Sequence, residues 1–359
     1  MFRGHATAGG LLRAERNPAG FDYLRLALAF AVLAFHCIVI TQGRAGEDIV
    51  WASHWRPLAA AFVPMFFAMS GYLVTASVLR SSIAQFVVNR AVRLLPALAT
   101  QVVISALLLG LCVTTLPVTE YLSSPDLWRY LRTAIGWTQF KAPGVFTGNP
   151  THELNLSLWT IPYELLCYLA LGGATVIGLV QRSRLFVAVL LALHIALFLW
   201  DALRIGVIGV QDDLPPRVLA LVYMSGVAMY VWRDQMLLST GRMVLATGLT
   251  WACLTFPIGI YFVALPVAYL TVCVGLLNPP RHWIIKSGSY SYGVYLYAFP
   301  IQQTSVYLWP SLGPIEVFLI AAPLSALAAT FSWHVIEKPC IGLRKALLVR
   351  PRAPVAATA

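Results

Sequence analysis

The sequence predicts an all-α fold: a polytopic bundle of about ten transmembrane helices with both termini on the cytoplasmic side. Three observations predict it. Of the 359 residues, 59% are hydrophobic and 11% are charged, against roughly 25% charged in an average soluble domain. Apolar runs long enough to span a bilayer, about 20 residues each, recur from residue 22 to residue 335, and the longest polar break lies near 117–156. The cations also divide unevenly between alternate breaks. Of 25 Lys and Arg, seventeen fall on the side of the termini and seven on the other, with Arg25 inside the first run, as the positive-inside rule requires.

The expected spans are 22–41, 58–79, 94–116, 157–180, 185–203, 216–232, 241–256, 258–276, 288–308 and 314–335. Residues 1–21 form a cytoplasmic N-terminal segment, 22–339 the membrane domain and 340–359 a basic cytoplasmic tail. The first run has no small-residue cleavage site after it, which predicts an uncleaved span. Around the seventh and eighth spans, Pro257 and Gly259 leave two readings open, a tight turn between two helices or a kink in one. Acidic residues such as Asp201, Asp212 and Asp213 fall on the outer side.

The first span, FDYLRLALAFAVLAFHC, carries Asp22, Arg25 and His36. Eleven steps of about 100° bring Arg25 and His36 to one helix face, about 16 Å apart along the axis. Alone, Arg25 reads as a snorkelling anchor and His36 as a helix–helix hydrogen bonder. Together on one face, they point into the bundle or a cavity. Asp22, three residues before Arg25, is placed to partner it.

In the second span, FFAMSGYL sets Ser70 and Gly71 mid-membrane, most simply as a packing site of small residues. Before the third comes FVVNRAVRLLPAL, with Arg90 and Arg93 one helical turn apart. That spacing suits phosphate binding and equally suits contact with lipid phosphates. The fourth opens LNLSLWTIPYELLCY and places Glu164 about 10 Å inside the outer surface, near the depth of His36. An imidazole held by a carboxylate is a general-base arrangement.

Trp51, Trp55, Trp128, Trp137, Trp159, Trp200 and Trp309 fall on or near the outer side, as an interfacial belt or as stacking platforms for a sugar. The ninth span, KSGSYSYGVYLYAFP, has Tyr292 and Tyr295 three apart, facing a polar interior or packing as aromatics. The last ends in SWHVIEKP, with His334 and Glu337 at the cytoplasmic interface.

A net charge of +11 and a pI near 9.6 follow from cytoplasmic cations, and no motif spacing points to nucleic acid. The six cysteines lie in or beside apolar runs without C-x-x-C spacing and read as small buried hydrophobes, neither disulfide framework nor metal site. G-x-S-x-G, G-x-x-x-x-G-K-[ST] and H-E-x-x-H are all absent, so a nucleophile elbow, a P-loop and a zincin site are unsupported. Buried His, Arg and Glu in ten helices fit a proton-coupled transporter as well as a membrane enzyme.

Taken in order, FDYLRLALAFAVLAFH, FFAMSGYL, NRAVRLLP, SLWTIPYE, SYSYGVYLYAFP and IEKP resemble the bacterial membrane-bound acyltransferase-3 family, which O-acylates polysaccharides, lipid-linked sugars, Nod factors and some antibiotics. The resemblance spans residues 21–339. It implies that His36 and Arg25 are the essential pair, that Arg90 and Arg93 serve the acyl-CoA side, and that Glu164 belongs to the core site. The implied donor is acyl-CoA, with acetyl-CoA the one expected, together with a saccharide acceptor, membrane lipids as surroundings, a bacterial inner-membrane location, and no permanently bound cofactor or metal.

The expected chemistry is deprotonation of a sugar hydroxyl by His36 oriented by Glu164, or acyl transfer first to His36. Tyr292 or Tyr295 would donate to the oxyanion, and Ser70 and Trp159 would line the substrate site. Two positions depart from the family pattern. Ala298 stands where many members have histidine, and Leu156 where a glycine is frequent. No hydrolase-like domain follows residue 340, so transfer onto a fused partner domain is not expected.

Overall fold

The computed structural model describes residues 6–14, 18–204 and 214–348. Arg3, Arg16, Asp212, Asp213, Arg350 and Arg352, which enter the charge distribution, lie outside them, as does the tail beyond 348. A helix occupies each expected span: α1 (Gly20–Ala52), α2 (Arg56–Val78), α3 (Ile83–Val113), α4 (Ile161–Val176), α5 (Ser183–Arg204), α6 (Pro216–Val231), α7 (Thr240–Thr255), α8 (Ala264–Gly275), α9 (Ser291–Leu308) and α10 (Pro314–Phe331). Among the described residues, five helices are long and apolar enough to cross a membrane: α1, α2, α3, α5, and α10 with its continuation to Arg344. Leu191, Leu193, Ile195 and Leu199 are exposed on α5, an apolar face suited to lipid.

Three boundaries differ from expectation. The first helix runs on to Ala52 across a break at Gly43, whose φ of 62° and ψ of −149° belong to a region essentially reserved for glycine. The third begins at Ile83 rather than 94, because Ser82 and Gln85 form a capping box that satisfies the first-turn amides. At 255–263 the chain makes two helices joined by the 3-10 turn Pro257–Tyr261, which settles the two readings of Pro257 and Gly259. Any Cβ at Gly259 would lie 2.2 Å from the Cys253 carbonyl oxygen.

The bundle centre is the crossing of α2 and α6. A Cβ at Gly71 would meet the Tyr223 carbonyl oxygen at 2.0 Å, and one at Gly226 the Ala68 carbonyl oxygen at 2.1 Å. Backbone meets backbone here because neither helix presents a side chain, the close-approach geometry of small residues in membranes. The α5–α6 side is tied by Asp201, which is buried rather than free on the outer side. It accepts from the Arg217 guanidinium at 2.8 Å and from Tyr261 at 3.0 Å.

The long break after α3 is a packed cap. Its helices Val118–Ser123 and Pro125–Leu131 bury Tyr121, Leu127 and Tyr130, and Phe146 and Leu154 further on join them against Ala97 and Leu98 of α3. Side-chain amides fasten the cap to α9. Asn149 Nδ2 donates to Gln303 Oε1 at 2.7 Å, Gln303 Nε2 donates to the Glu153 carbonyl at 2.7 Å, and Asn155 Nδ2 donates to the Leu296 carbonyl at 2.9 Å. The cap ends in the 3-10 turn Leu156–Thr160, which delivers Ser157 to the bundle interior.

At the end assigned to the cytoplasm, Ala6–Thr7 pairs antiparallel with Leu237–Leu238, and Ala8–Ala14 forms a short helix. The 1–21 segment is therefore partly built into the fold.

The α2–α6 contact predicts opposite signs for one substitution at two glycines. Gly226→Ala should lower the melting temperature of the purified protein, an overpacking loss of about 1–3 kcal/mol. Gly248→Ala in α7, where nothing lies within 4 Å of the new Cβ, should raise stability by about 0.5–1 kcal/mol through helix propensity. Thermal unfolding followed by intrinsic fluorescence measures both.

Candidate active site

The nine residues given a place in the site by the sequence and the resemblance line one cavity of about 430 Å³ between α1, α2, α3, α4 and α9: Arg25, His36, Ser70, Arg90, Arg93, Trp159, Glu164, Tyr292 and Tyr295. Helix periodicity puts Arg25 and His36 on one wall, as the eleven-residue spacing requires. Ser70 turns into the cavity while its neighbour Gly71 packs on α6, so the SG pair divides between lining and packing.

His36 is buried, edge-on to Phe299 with ring centroids 5.2 Å apart. Its Nδ1 lies 3.3 Å from Ser157 Oγ. Glu164 does not hold the imidazole, which corrects the sequence reading. Its Oε1 instead accepts the Tyr168 hydroxyl and Ser70 Oγ, the latter at 3.3 Å. The reason is helical: Tyr168 follows Glu164 by four residues and so lies on the same face of α4. Both Ser157 and Tyr168 border the cavity, and neither was identified from sequence. The i to i+4 spacing could have revealed Tyr168, whereas Ser157 depends on where the cap ends.

Asp22 lies close enough to Arg25 for their charges to interact, but its ion pair is with another residue. Its Oδ2 lies 3.3 Å from Arg281 Nη1, since the loop after α8 returns beside the start of α1.

Arg90 and Arg93 both border the cavity. They sit inside α3, and Arg93 is already engaged. Its Nη1 donates to Glu337 Oε2 at 2.6 Å, its Nη2 donates to Ser289 Oγ at 2.8 Å, and its guanidinium stacks over Trp333 at 5.3 Å. Glu337 is buried rather than interfacial, at the end of the wide turn Ser332–Glu337, where Ser332 Oγ also donates to it at 3.2 Å. Such π-type turns place side chains that a regular helix would carry elsewhere. Arg90 borders the cavity, and its Nε has no hydrogen-bond partner among the described residues.

Tyr292 and Tyr295 stack with centroids 6.5 Å apart. Their hydroxyl protons go to backbone carbonyls, Tyr292 to Leu94 at 3.0 Å and Tyr295 to Ser157. Neither is free to donate to an oxyanion in this arrangement, and the aromatic-packing reading fits better. Trp159 meets Tyr163 edge-on at 6.1 Å while lining the cavity. Ala298 is buried against α1 with Leu33 and Cys37, and Leu156 packs beside the same cluster. The two departures from the family pattern thus sit in apolar packing.

The arrangement offers a buried imidazole, a carboxylate on another wall, and guanidiniums toward one end. That is equipment for moving a proton and accommodating an anion in an interior where uncompensated charge is expensive.

Residues 19–335 match the family model described as an acyltransferase domain, that of the acyltransferase-3 family. The chain is 28% identical over 338 residues to an O-acetyl transferase of Shigella phage Sf6, covering 89% of this chain and 94% of that protein. It is 26% identical over 364 residues to nodulation protein 10 of Rhizobium leguminosarum bv. viciae, covering 92% and 95%. A shorter stretch of 93 residues is 29% identical to nodulation protein NolL of Sinorhizobium fredii, covering 26% and 24%. No solved structure matches the chain significantly. With the family model covering most of its length, the chain belongs to the acyltransferase-3 family and is an acyltransferase enzyme of the membrane.

Proposed function

We propose that this enzyme moves an acyl group, acetyl in the simplest case, from acyl-CoA to a sugar hydroxyl of an envelope polysaccharide, exopolysaccharide or lipid-linked saccharide, in a bacterial inner membrane. The observation that carries this reading is the convergence of His36, Arg25, Glu164 and Arg90 on one cavity. The O-acetyl transferase name of the phage relative supports oxygen as the acceptor atom. In this reading all ten helices cross the membrane, both termini are cytoplasmic, and the Arg25 end faces the cytoplasm.

In this reading His36 carries its proton on Nδ1, which faces Ser157 Oγ at 3.3 Å, and Nε2 keeps the lone pair of a general base. Nε2 takes the proton of the acceptor hydroxyl as that oxygen attacks the thioester carbonyl. The tetrahedral intermediate then collapses with cleavage of the carbon–sulfur bond, and the imidazolium returns its proton to the departing thiolate. Ser157 is a positioning residue that fixes the tautomer and the ring plane. Glu164, fixed by Tyr168 and Ser70, holds acceptor hydroxyls on the facing wall, and Trp159 stacks against the sugar. Arg25 and Arg90 set a positive field along the donor's route, while Arg93 keeps α3 and α10 together.

Thiol release from acetyl-CoA by purified protein, with candidate saccharides present, tests this directly. His36→Ala should lose at least about 10²-fold in kcat, and normal turnover in that variant would sink the proposal. Ser157→Ala should lower kcat by about tenfold with KM little changed, and Ser157→Thr should restore part of it. Glu337→Gln should destabilise the protein by about 2–3 kcal/mol, at the low end for a broken buried ion pair because Arg93 still meets some solvent. A thermal melt would show it.

A further inference from the structure

A second cavity, of about 800 Å³, adjoins the first at the end assigned to the cytoplasm. Five arginines line it, Arg13, Arg25, Arg80, Arg233 and Arg281, against a single lining carboxylate, Asp22. Two of the five are held by acids, Arg13 by Asp234 at 2.6 Å and Arg281 by Asp22 at 3.3 Å. Arg80 is exposed, its backbone amide donates to the Ser77 carbonyl at 3.2 Å, and its guanidinium takes no hydrogen bond or ion pair among the described residues. Arg233 stacks on Tyr230 at 4.4 Å, donates from Nη1 to the Tyr230 carbonyl at 2.9 Å, and forms only a long ion pair with Asp234 at 3.9 Å. Tyr72 borders the same space, 1% exposed, and its hydroxyl has no hydrogen-bond partner.

A concave site with surplus guanidiniums and an unsatisfied hydroxyl fits a ligand carrying several phosphate oxygens. Arg25 lines both cavities and so stands at their junction, about 16 Å along α1 from His36. An extended pantetheine arm has comparable reach. The expected phosphate site at Arg90 and Arg93 fits less well, because Arg93 is bound to Glu337.

We propose that this vestibule binds the nucleotide end of the acyl donor, its diphosphate and 3′-phosphate lying against Arg80 and Arg233 while the pantetheine arm passes Arg25 to reach His36. The proposal rests on the acyl-CoA reading above, and two separate measurements keep their failures apart.

The first is calorimetric binding of adenosine 3′,5′-bisphosphate to the full chain in zwitterionic nanodiscs. The second is the KM of acetyl-CoA against that of acetyl-pantetheine, which lacks the nucleotide. Arg80→Gln and Arg233→Gln should each weaken nucleotide binding and raise the acetyl-CoA KM by about tenfold, leaving the acetyl-pantetheine KM in place. Arg129→Gln, at the far end of the molecule, controls for net charge. Wild-type nucleotide affinity in both vestibule variants would overturn the proposal, whatever the turnover. So would a wild type that binds no nucleotide in zwitterionic discs while its vestibule arginines respond to phosphatidylglycerol, the signature of a lipid headgroup site. Absence of thiol release from acetyl-CoA by the wild type would instead overturn the acyl-CoA reading.

Discussion

Charge inside an apolar bundle has to find its counterpart there, and the architecture around the cavity answers to that requirement. The pair of Arg93 with Glu337 shows how far the chain goes to meet it. Residues 244 positions apart are brought to 2.6 Å, the chain after α10 widens into a π-type turn to present the carboxylate, and an aromatic lid of Trp333 and Tyr292 covers the guanidinium. Once that anchor holds α3 against α9 and α10, Leu94 is in place to receive the Tyr292 hydroxyl. The stacked tyrosines then support the turn that carries Ser157. The position of the imidazole thus depends on an ion pair that does not touch it.

The cap makes the second half of that connection. A loop of its length without internal packing would leave backbone groups unsatisfied and position nothing. Here buried aromatics supply the packing, and three side-chain amides lock it to α9. Ser157 therefore arrives from a segment pinned by its own packing, and its place beside His36 follows from the asparagines as much as from its own helix turn.

Much of this was legible in the sequence, for identifiable reasons. Spacing within one helix is a property of geometry alone, so Arg25 and His36 share a wall as their separation demands, and the length of the apolar runs placed a helix in each expected span. What was not legible involves partners set by tertiary fold. Nothing local distinguishes Glu337 from an interfacial acid, or Asp22 as a partner of Arg281 rather than of Arg25. The assignment of Glu164 to His36 rested on equal depth, and depth does not fix azimuth around the bundle. The early start of α3 was written in Ser82 and Gln85, but the polar run before residue 94 obscured it.

The two-residue ladder between Ala6–Thr7 and Leu237–Leu238 carries a consequence for biosynthesis. One wall of the arginine vestibule is made by Gly9, Leu12 and Arg13 and another by Tyr230 and Arg233, which follow more than two hundred positions later. The pocket comes into being after α6 has been inserted, so a nascent chain cannot engage a polyanion there while its first helices are still being threaded. A bulky fusion placed directly before residue 6 would burden that late closure more than any other step of assembly.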